Sequence, residues 1–228
     1  MGVRRTLRRW HIWLGWLVAI PFLLWTLSGV IMVWKPIEEV RGEHLLRKPG
    51  PMRFTAPVVP PAVAGVPLSA LSLEQRAAGA RWVIKLPDGT TRIADPSSGA
   101  LLPSLSAADA AQEVMSRYTG DAKLESVVRT DPMNPPLELR HPVSTWRVSL
   151  DDGTNFYVDA GSGMIHAKRT RWWRIYDLMW GFHIMDLDTR EDAHNPWVIG
   201  FGIAALAMTL LAFLLLPLTI KRRKSPPS

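Results

Sequence analysis

The sequence has 228 residues, with 27 Lys and Arg, 20 Asp and Glu and no Cys. Without cysteine, disulfides, Cys-ligated zinc, iron–sulfur clusters and covalently attached c-type haem are excluded. The net charge of +7 comes from the two ends, because residues 1–34 and 221–228 each carry four Lys or Arg and no acid. The middle of the chain is nearly neutral, so this distribution indicates a membrane topology and no nucleic-acid partner.

Residues 10–34 are the first predicted transmembrane helix, since they contain no Asp, Glu, Lys or Arg and about 20 apolar residues cross a bilayer. Residues 1–9 are predicted to be a cytoplasmic flank, because basic residues beside a span stay inside. The run is too long for the apolar region of a cleaved signal peptide, the competing interpretation. The small residues Gly15, Ser28 and Gly29 predict the close approach of another helix.

The end of the chain provides the second predicted span. Residues 171–195 read as an interfacial amphipathic helix, broken by charged residues, followed by a polar loop. Residues 196–220 are uncharged and predict the second transmembrane helix, and residues 221–228 form a basic cytoplasmic tail. Both termini are therefore predicted inside, with the central domain outside.

The central part contains an internal repeat. Residues 82–90 recur as residues 146–154, and each segment alternates apolar and polar residues up to an Asp-Gly pair. Each copy ends at a Ser-Gly pair, closed by Gly99 in the first copy and by Gly163 in the second. Alternation around Asp-Gly is a strong hairpin signal. Gly153 and Gly163 are predicted to need positive φ.

These patterns divide the central region into three segments. Residues 35–68 are a Pro-rich linker with a short helix first, residues 69–104 an abbreviated repeat and residues 105–170 a full module. In the full module, Ser106 is predicted to cap a helix that runs to about Tyr118, and a strand follows at residues 124–128. One face of that helix is predicted to be apolar: Ala108, Ala111, Val114, Met115 and Tyr118. The fold class is a membrane protein whose two transmembrane α-helices flank an α+β domain.

The second copy, residues 146–165 with the preceding helix, resembles the PepSY domain. The first span is similar to that of PepSY-associated membrane proteins at residues 9–15 and 27–30, and the similarity continues at residues 36–44 and 183–186. Larger members of that family are haem proteins of the bacterial inner membrane that reduce siderophore-bound iron in the periplasm, with more spans than the two predicted here. The resemblance implies an inner-membrane location, a periplasmic central domain and haem.

Four histidines are candidates for binding haem b: His183, His11, His44 and His194. His183 and His11 are the predicted iron ligands, because each lies in an apolar stretch with arginines nearby in sequence; Arg171 and Arg174 precede His183. His11 is predicted at the inner membrane face and the other three at the outer face, so bilayer thickness prevents His11 and His183 from sharing one iron. An outer haem then requires His183 with His44 or His194, or two copies of one histidine across a symmetric dimer.

Two functional hypotheses follow. The first is haem-dependent electron transfer for periplasmic metal reduction, as a reductase or its accessory subunit, with electrons supplied by another protein or by quinol. The second is a haem-free, membrane-tethered PepSY module that binds or restrains a periplasmic peptidase or envelope partner. Membrane lipid and either a homodimer or a larger membrane protein are the expected partners. No catalytic residues are predicted, because the sequence contains no nucleotide-binding or hydrolase motif.

Overall fold

The computed structural model describes residues 2–219, which belong to two compact units. Residues 36–174 form one unit, and the segments 2–35 and 175–219 form the other. The predicted tail at residues 221–228 and the last residue of the second predicted span, Ile220, lie outside the described residues.

Two long helices, α1 (Val3–Val33) and α5 (Pro196–Thr219), build most of the helical unit. Both are long and apolar enough to cross a membrane. They pack antiparallel, because Trp25 lies beside Phe201 near one end while Gly15 faces Met208 further along. Helix α1 begins at Val3, so most of the predicted flank at residues 1–9 is helical, consistent with the good helix propensity of arginine.

The helix predicted after residue 171 is present as α4 (Arg171–Ile184), which belongs to the helical unit from Ile175 onward. It ends in a Schellman motif, in which the Asp186 N–H donates to the Gly181 carbonyl and the Met185 N–H to the Phe182 carbonyl. Met185 has φ 55°, a conformation that glycine usually supplies. The position of α4 at a membrane surface stays a prediction.

The first sheet of the other unit contains four antiparallel strands in sequential order. They are β1 (Ala70–Arg76), β2 (Gly79–Lys85), β3 (Thr91–Ala94) and β4 (Leu101–Leu102). This sheet is the abbreviated copy of the repeat, since no helix precedes it within the unit except the short α2 (Ile37–Val40) and a 3₁₀ turn at Glu43–Leu45. The predicted linker is otherwise irregular from residue 47 to residue 69, where six prolines remove backbone donors.

The second sheet repeats the first and adds a helix. After α3 (Ala107–Met115) come four strands, again antiparallel and in sequential order: β5 (Leu124–Arg129), β6 (Thr145–Leu150), β7 (Asn155–Asp159) and β8 (Ile165–Arg169). The core between helix and sheet is fully buried: Ala110, Val114, Val148, Leu150, Phe156 and Val158. The α+β architecture with two antiparallel sheets is therefore confirmed.

The turns of the two copies share the same hydrogen bonds, which confirms the internal repeat. At the Asp-Gly turn, the Leu86 N–H donates to the Thr90 carbonyl in the first copy, and Leu150 N–H to Thr154 in the second. At the Ser-Gly turn, the Gly99 N–H and the Gly163 N–H each donate to the aspartate carbonyl four residues earlier. Gly153 has φ 82° and Gly163 has φ 71°, as predicted.

The predicted apolar face of α3 is partly wrong. Its capping box at Ser106 and Asp109 is present, but Ala108 is exposed and Ala110 is buried instead. The face also contains Glu113, which is 3% exposed. Its carboxylate accepts hydrogen bonds from the Ala77 N–H and the Arg117 guanidinium. A buried carboxylate with these partners is invisible to an apolar periodicity, because hydrogen bonds rather than hydrophobicity stabilise it there.

Candidate functional site

His183 packs against α1 where that helix has its small residues. Its imidazole stacks on the Trp25 ring, with centroids 4.6 Å apart, and Nδ1 lies 3.1 Å from the Ser28 hydroxyl and 3.2 Å from the Trp25 carbonyl. A Cβ added at Gly29 would approach the imidazole Cε1 to 3.3 Å. The predicted close approach at Ser28 and Gly29 is therefore confirmed, and the group that approaches is His183.

These contacts determine which imidazole nitrogen carries the proton. A carbonyl oxygen only accepts hydrogen bonds, and the Ser28 hydroxyl already donates to the same Trp25 carbonyl, at 2.8 Å. The hydrogen-bond network thus assigns the proton to Nδ1, which donates to the Trp25 carbonyl and the Ser28 oxygen. Over residues 2–219, Nε2 has no hydrogen-bond partner, so its lone pair is free. An imidazole oriented through Nδ1 with a free Nε2 is the usual arrangement of a metal-ligating histidine.

The loop between α4 and α5 holds the end of α4 in place. Asn195 is buried; its amide N–H₂ donates to the Ile184 carbonyl, and its amide oxygen accepts the Trp197 and Val198 N–H groups at the start of α5. One side chain therefore caps α5 and binds the last residue of α4. His183 lies immediately before that last residue.

A buried ion pair fixes the same loop from the other side. Asp177 of α4 is 4% exposed and accepts a hydrogen bond from Arg190, at 2.7 Å. The Trp180 indole donates to the Arg190 carbonyl, at 3.0 Å. Removing one partner of a buried ion pair typically costs 3–5 kcal/mol, so these contacts restrict how far the loop, and with it the end of α4, can move.

His11 has a different environment. It lies on α1 nearly five turns before Ser28, about 25 Å along the axis, which agrees with the expectation that His11 and His183 cannot share an iron. Its Nδ1 is enclosed and has no hydrogen-bond partner among the described residues. A proton there would be buried without an acceptor, at a cost of about 1–3 kcal/mol, so the neutral ring carries its proton on Nε2. His11 as the ligand of an inner haem stays a prediction.

The two remaining candidates, His44 and His194, are exposed. His44 lies in the 3₁₀ turn, where its carbonyl accepts the Thr119 hydroxyl. The His194 N–H donates to the Asp192 carboxylate in the polar loop. In the described part of the chain, no three His, Cys, Asp or Glu side chains are grouped so that they could hold a metal ion. A haem requires only one or two axial ligands, so it is not affected by this result.

Arg174, one of the two arginines expected near His183, is engaged in the sheet unit. Its guanidinium pairs with Glu138 and donates to the Gly153 carbonyl, at 2.7 Å. Burial would raise the pKa of Glu138, but hydrogen bonds from Arg174 and Asn155 outweigh it and lower that pKa. Burial and the neighbouring Glu138 carboxylate raise the pKa of Tyr157 to about 12. This cluster is a satisfied structural network, so Arg174 is not a free cation for a cofactor.

Sequence reasoning missed three residues of the His183 site: Trp25, Asn195 and Arg190. Asn195 had a readable signal, since Asn followed by Pro196 at the first helical position is a typical helix start. Trp25 had none, because its role depends on a contact with a residue 158 positions away in the sequence. Arg190 had none either, since no local pattern relates it to Asp177, 13 residues earlier.

Comparison of the chain with protein-family models, with curated proteins and with solved structures found no match. The resemblance to the PepSY family therefore rests on the motifs of the sequence alone.

Proposed function

We propose that the chain is a PepSY-type protein of the bacterial inner membrane that holds haem b and passes electrons toward the periplasm. The metal reduced there would be siderophore-bound iron, and the chain would act as the reductase or as its accessory subunit. The motif resemblance supports the family and its location, and the environment of His183 supports the cofactor.

The arrangement of His183 is the single observation that carries the proposal. Its Nδ1 is oriented by Ser28 and Trp25, and its Nε2 lone pair is free. One face of the imidazole stacks on Trp25, and Trp25 in turn packs against Phe201, with ring centroids 6.4 Å apart. His183 would hold a haem through Nε2, because haem binding requires an oriented neutral imidazole in an apolar setting.

When bound, haem b supplies one-electron chemistry by cycling between ferric and ferrous iron. The chain contributes orientation: the Trp25 carbonyl and the Ser28 hydroxyl hold the His183 proton on Nδ1 and direct Nε2 away from α1. A second ligand would come from His44 or His194, from the His183 of a second copy, since a twofold axis brings identical residues together, or from a larger membrane partner.

The proposed topology makes a direct prediction. Alkaline phosphatase fused after Gly89 should be active, and the same enzyme fused after Ser228 should be inactive, because basic residues at both chain ends keep the termini inside. A cytoplasmic reporter, such as a fluorescent protein that folds only inside, should show the opposite pattern. Phosphatase activity at Ser228 but not at Gly89 would contradict the proposed orientation.

The cofactor is tested by an absorption spectrum of the full chain, purified in detergent from haem-supplemented cells, before and after reduction with dithionite. We expect the sharpened reduced bands of a b-type haem, at no more than one haem per two chains if a dimer shares the iron. A colourless protein would contradict haem binding. The membrane-tethered binding module would then be the better explanation of the PepSY motifs.

A further inference from the structure

A groove between α1 and α5 lies at the end of the helical unit opposite to His183. It has a volume of about 300 Å³ and is lined by residues from both helices: Arg4, Arg8, His11, Ala212, Leu215 and Leu216. The three α1 residues follow one another at helical spacing, so they lie on one face of that helix. Arg5 and Arg9 are on α1 as well but do not line this groove.

One half of the groove is cationic. Two guanidinium groups line it, and none of its lining residues carries a carboxylate. His11 adds a hydrogen-bond donor, because its enclosed Nδ1 without an acceptor leaves the ring proton on Nε2. Guanidinium groups bind phosphate oxygens in a bidentate manner, and a neutral N–H donor adds a further contact. The polar half is thus suited to a phosphate group.

The other half of the groove is apolar. Ala212, Leu215 and Leu216 of α5 form it, and Leu215 is only 8% exposed. A ligand that fits both halves is anionic at one end and aliphatic at the other. Basic pockets between transmembrane helices on the cytoplasmic side bind anionic lipid headgroups in this way.

We propose that this groove is a binding site for an anionic phospholipid, with the phosphodiester on Arg4, Arg8 and His11 and an acyl chain along α5. The site depends on the two helices crossing a membrane and is independent of haem. Lipid binding at this site would make the packing of α1 against α5 depend on the lipid composition of the membrane.

The test compares two double variants of the full chain that remove the same charge from the same helix. Arg4→Gln with Arg8→Gln removes the groove cations, and Arg5→Gln with Arg9→Gln is the matched control. Each protein is equilibrated with phosphatidylglycerol or phosphatidylcholine in detergent, and retained lipid is counted by native mass spectrometry. We expect the groove variant to retain about thirtyfold less phosphatidylglycerol than wild type, since it lacks two basic residues that contribute on the order of 1 kcal/mol each. The control variant should stay near wild type.

Three results would overturn the site. Equal losses in both variants would show attraction to a basic surface without a specific site. Displacement of the lipid by excess inorganic phosphate would show that a free anion binds there instead. Loss of a haem absorption band in the groove variant, together with unchanged lipid, would assign the groove to an inner haem with His11.

Discussion

His183→Ala is expected to abolish most of the haem absorption of the purified protein. Among residues 2–219, the substitution removes the only imidazole whose Nδ1 is oriented by hydrogen bonds to α1, at 3.1 Å from the Ser28 hydroxyl and 3.2 Å from the Trp25 carbonyl. The described neighbours of the imidazole, Trp25 and Ser28, offer no replacement, because neither carries a basic nitrogen lone pair. The measurement is the ratio of reduced haem absorption to protein, for variant and wild type expressed side by side.

Two matched controls distinguish ligation from a general effect on folding. His141 is exposed in the sheet unit, so His141→Ala should retain the wild-type ratio. Ser28→Ala removes one Nδ1 partner and should weaken haem binding by about tenfold or more, as losses of such supporting contacts typically do. Thr26→Ala removes a hydroxyl from the same helix that donates only to its own Phe22 carbonyl, and should have little effect. A His183→Ala protein with full haem content would disprove ligation by His183.

The same assay tests which residue is the second iron ligand of the outer haem, beside His183. His44→Ala and His194→Ala alter the two exposed candidates, and a large loss in either one would support ligation within the chain. No loss in either would favour a second copy of His183 or a ligand from another protein. His11→Ala should leave the outer haem unchanged, because His11 is about 25 Å away from Ser28 along α1.

Much of the fold follows from local patterns in the sequence. The Asp-Gly and Ser-Gly turns predicted both sheets, because these pairs adopt positive φ at glycine and fix where one strand ends and the next begins. Ser106 predicted the start of α3 through its capping box. Local rules failed at Glu113, whose burial depends on a backbone N–H of the β1–β2 turn that no local pattern relates to α3.

The candidate site was predictable only in part, for the same reason. Ser28 and Gly29 indicated where a partner would approach, and His183 lay in an apolar, aromatic stretch, but 155 residues separate Ser28 from His183. Which imidazole nitrogen is free depends on the Trp25 carbonyl, and a backbone carbonyl has no sequence signature. The proton of His11 is instead on Nε2, and this assignment likewise requires knowledge of the surroundings of its Nδ1.

The second large effect is expected at Asp159, the residue that joins the two sheets. One of its carboxylate oxygens accepts hydrogen bonds from the Thr91 hydroxyl of β3, at 2.6 Å, and from the Ser162 N–H and hydroxyl. The other lies 3.3 Å from Nε2 of His166. Beside it, a Cβ at Gly161 would clash with the Thr91 carbonyl, so the two sheets meet at close range. Asp159 is 6% exposed and Ser162 is 3% exposed, so the two Ser162 donors have little access to bulk water as a substitute.

Asp159→Ala should therefore lower the free energy of unfolding of the sheet unit by about 3 kcal/mol, since the two buried Ser162 donors and the half-buried Thr91 hydroxyl lose a charged acceptor. For a unit of this size, that corresponds to a fall in Tm of about 10 °C. Thermal unfolding of the full chain, followed by circular dichroism, measures the change.

The effect should also depend on pH. Burial would raise the pKa of Asp159, but hydrogen bonds from His166, Thr91 and Ser162 outweigh it and hold that pKa well below its usual range. A carboxyl with a depressed native pKa contributes stability above its unfolded pKa, about 3.9 for Asp, and loses it as the pH falls through the native value. The difference in Tm between wild type and Asp159→Ala should thus be full above about pH 5 and shrink in acid.

Asp95 provides the matched control, because it occupies the corresponding turn of the first sheet. Its carboxylate accepts hydrogen bonds from Ser97 and Ser98 but has no contact equivalent to Thr91 or His166, and it is more exposed. Asp95→Ala removes the same turn contacts without the connection between sheets, so its Tm should fall much less. If both variants lost the same stability, the contribution of Asp159 would be confined to its own turn. The contact with Thr91 would then add nothing to the joining of the two sheets.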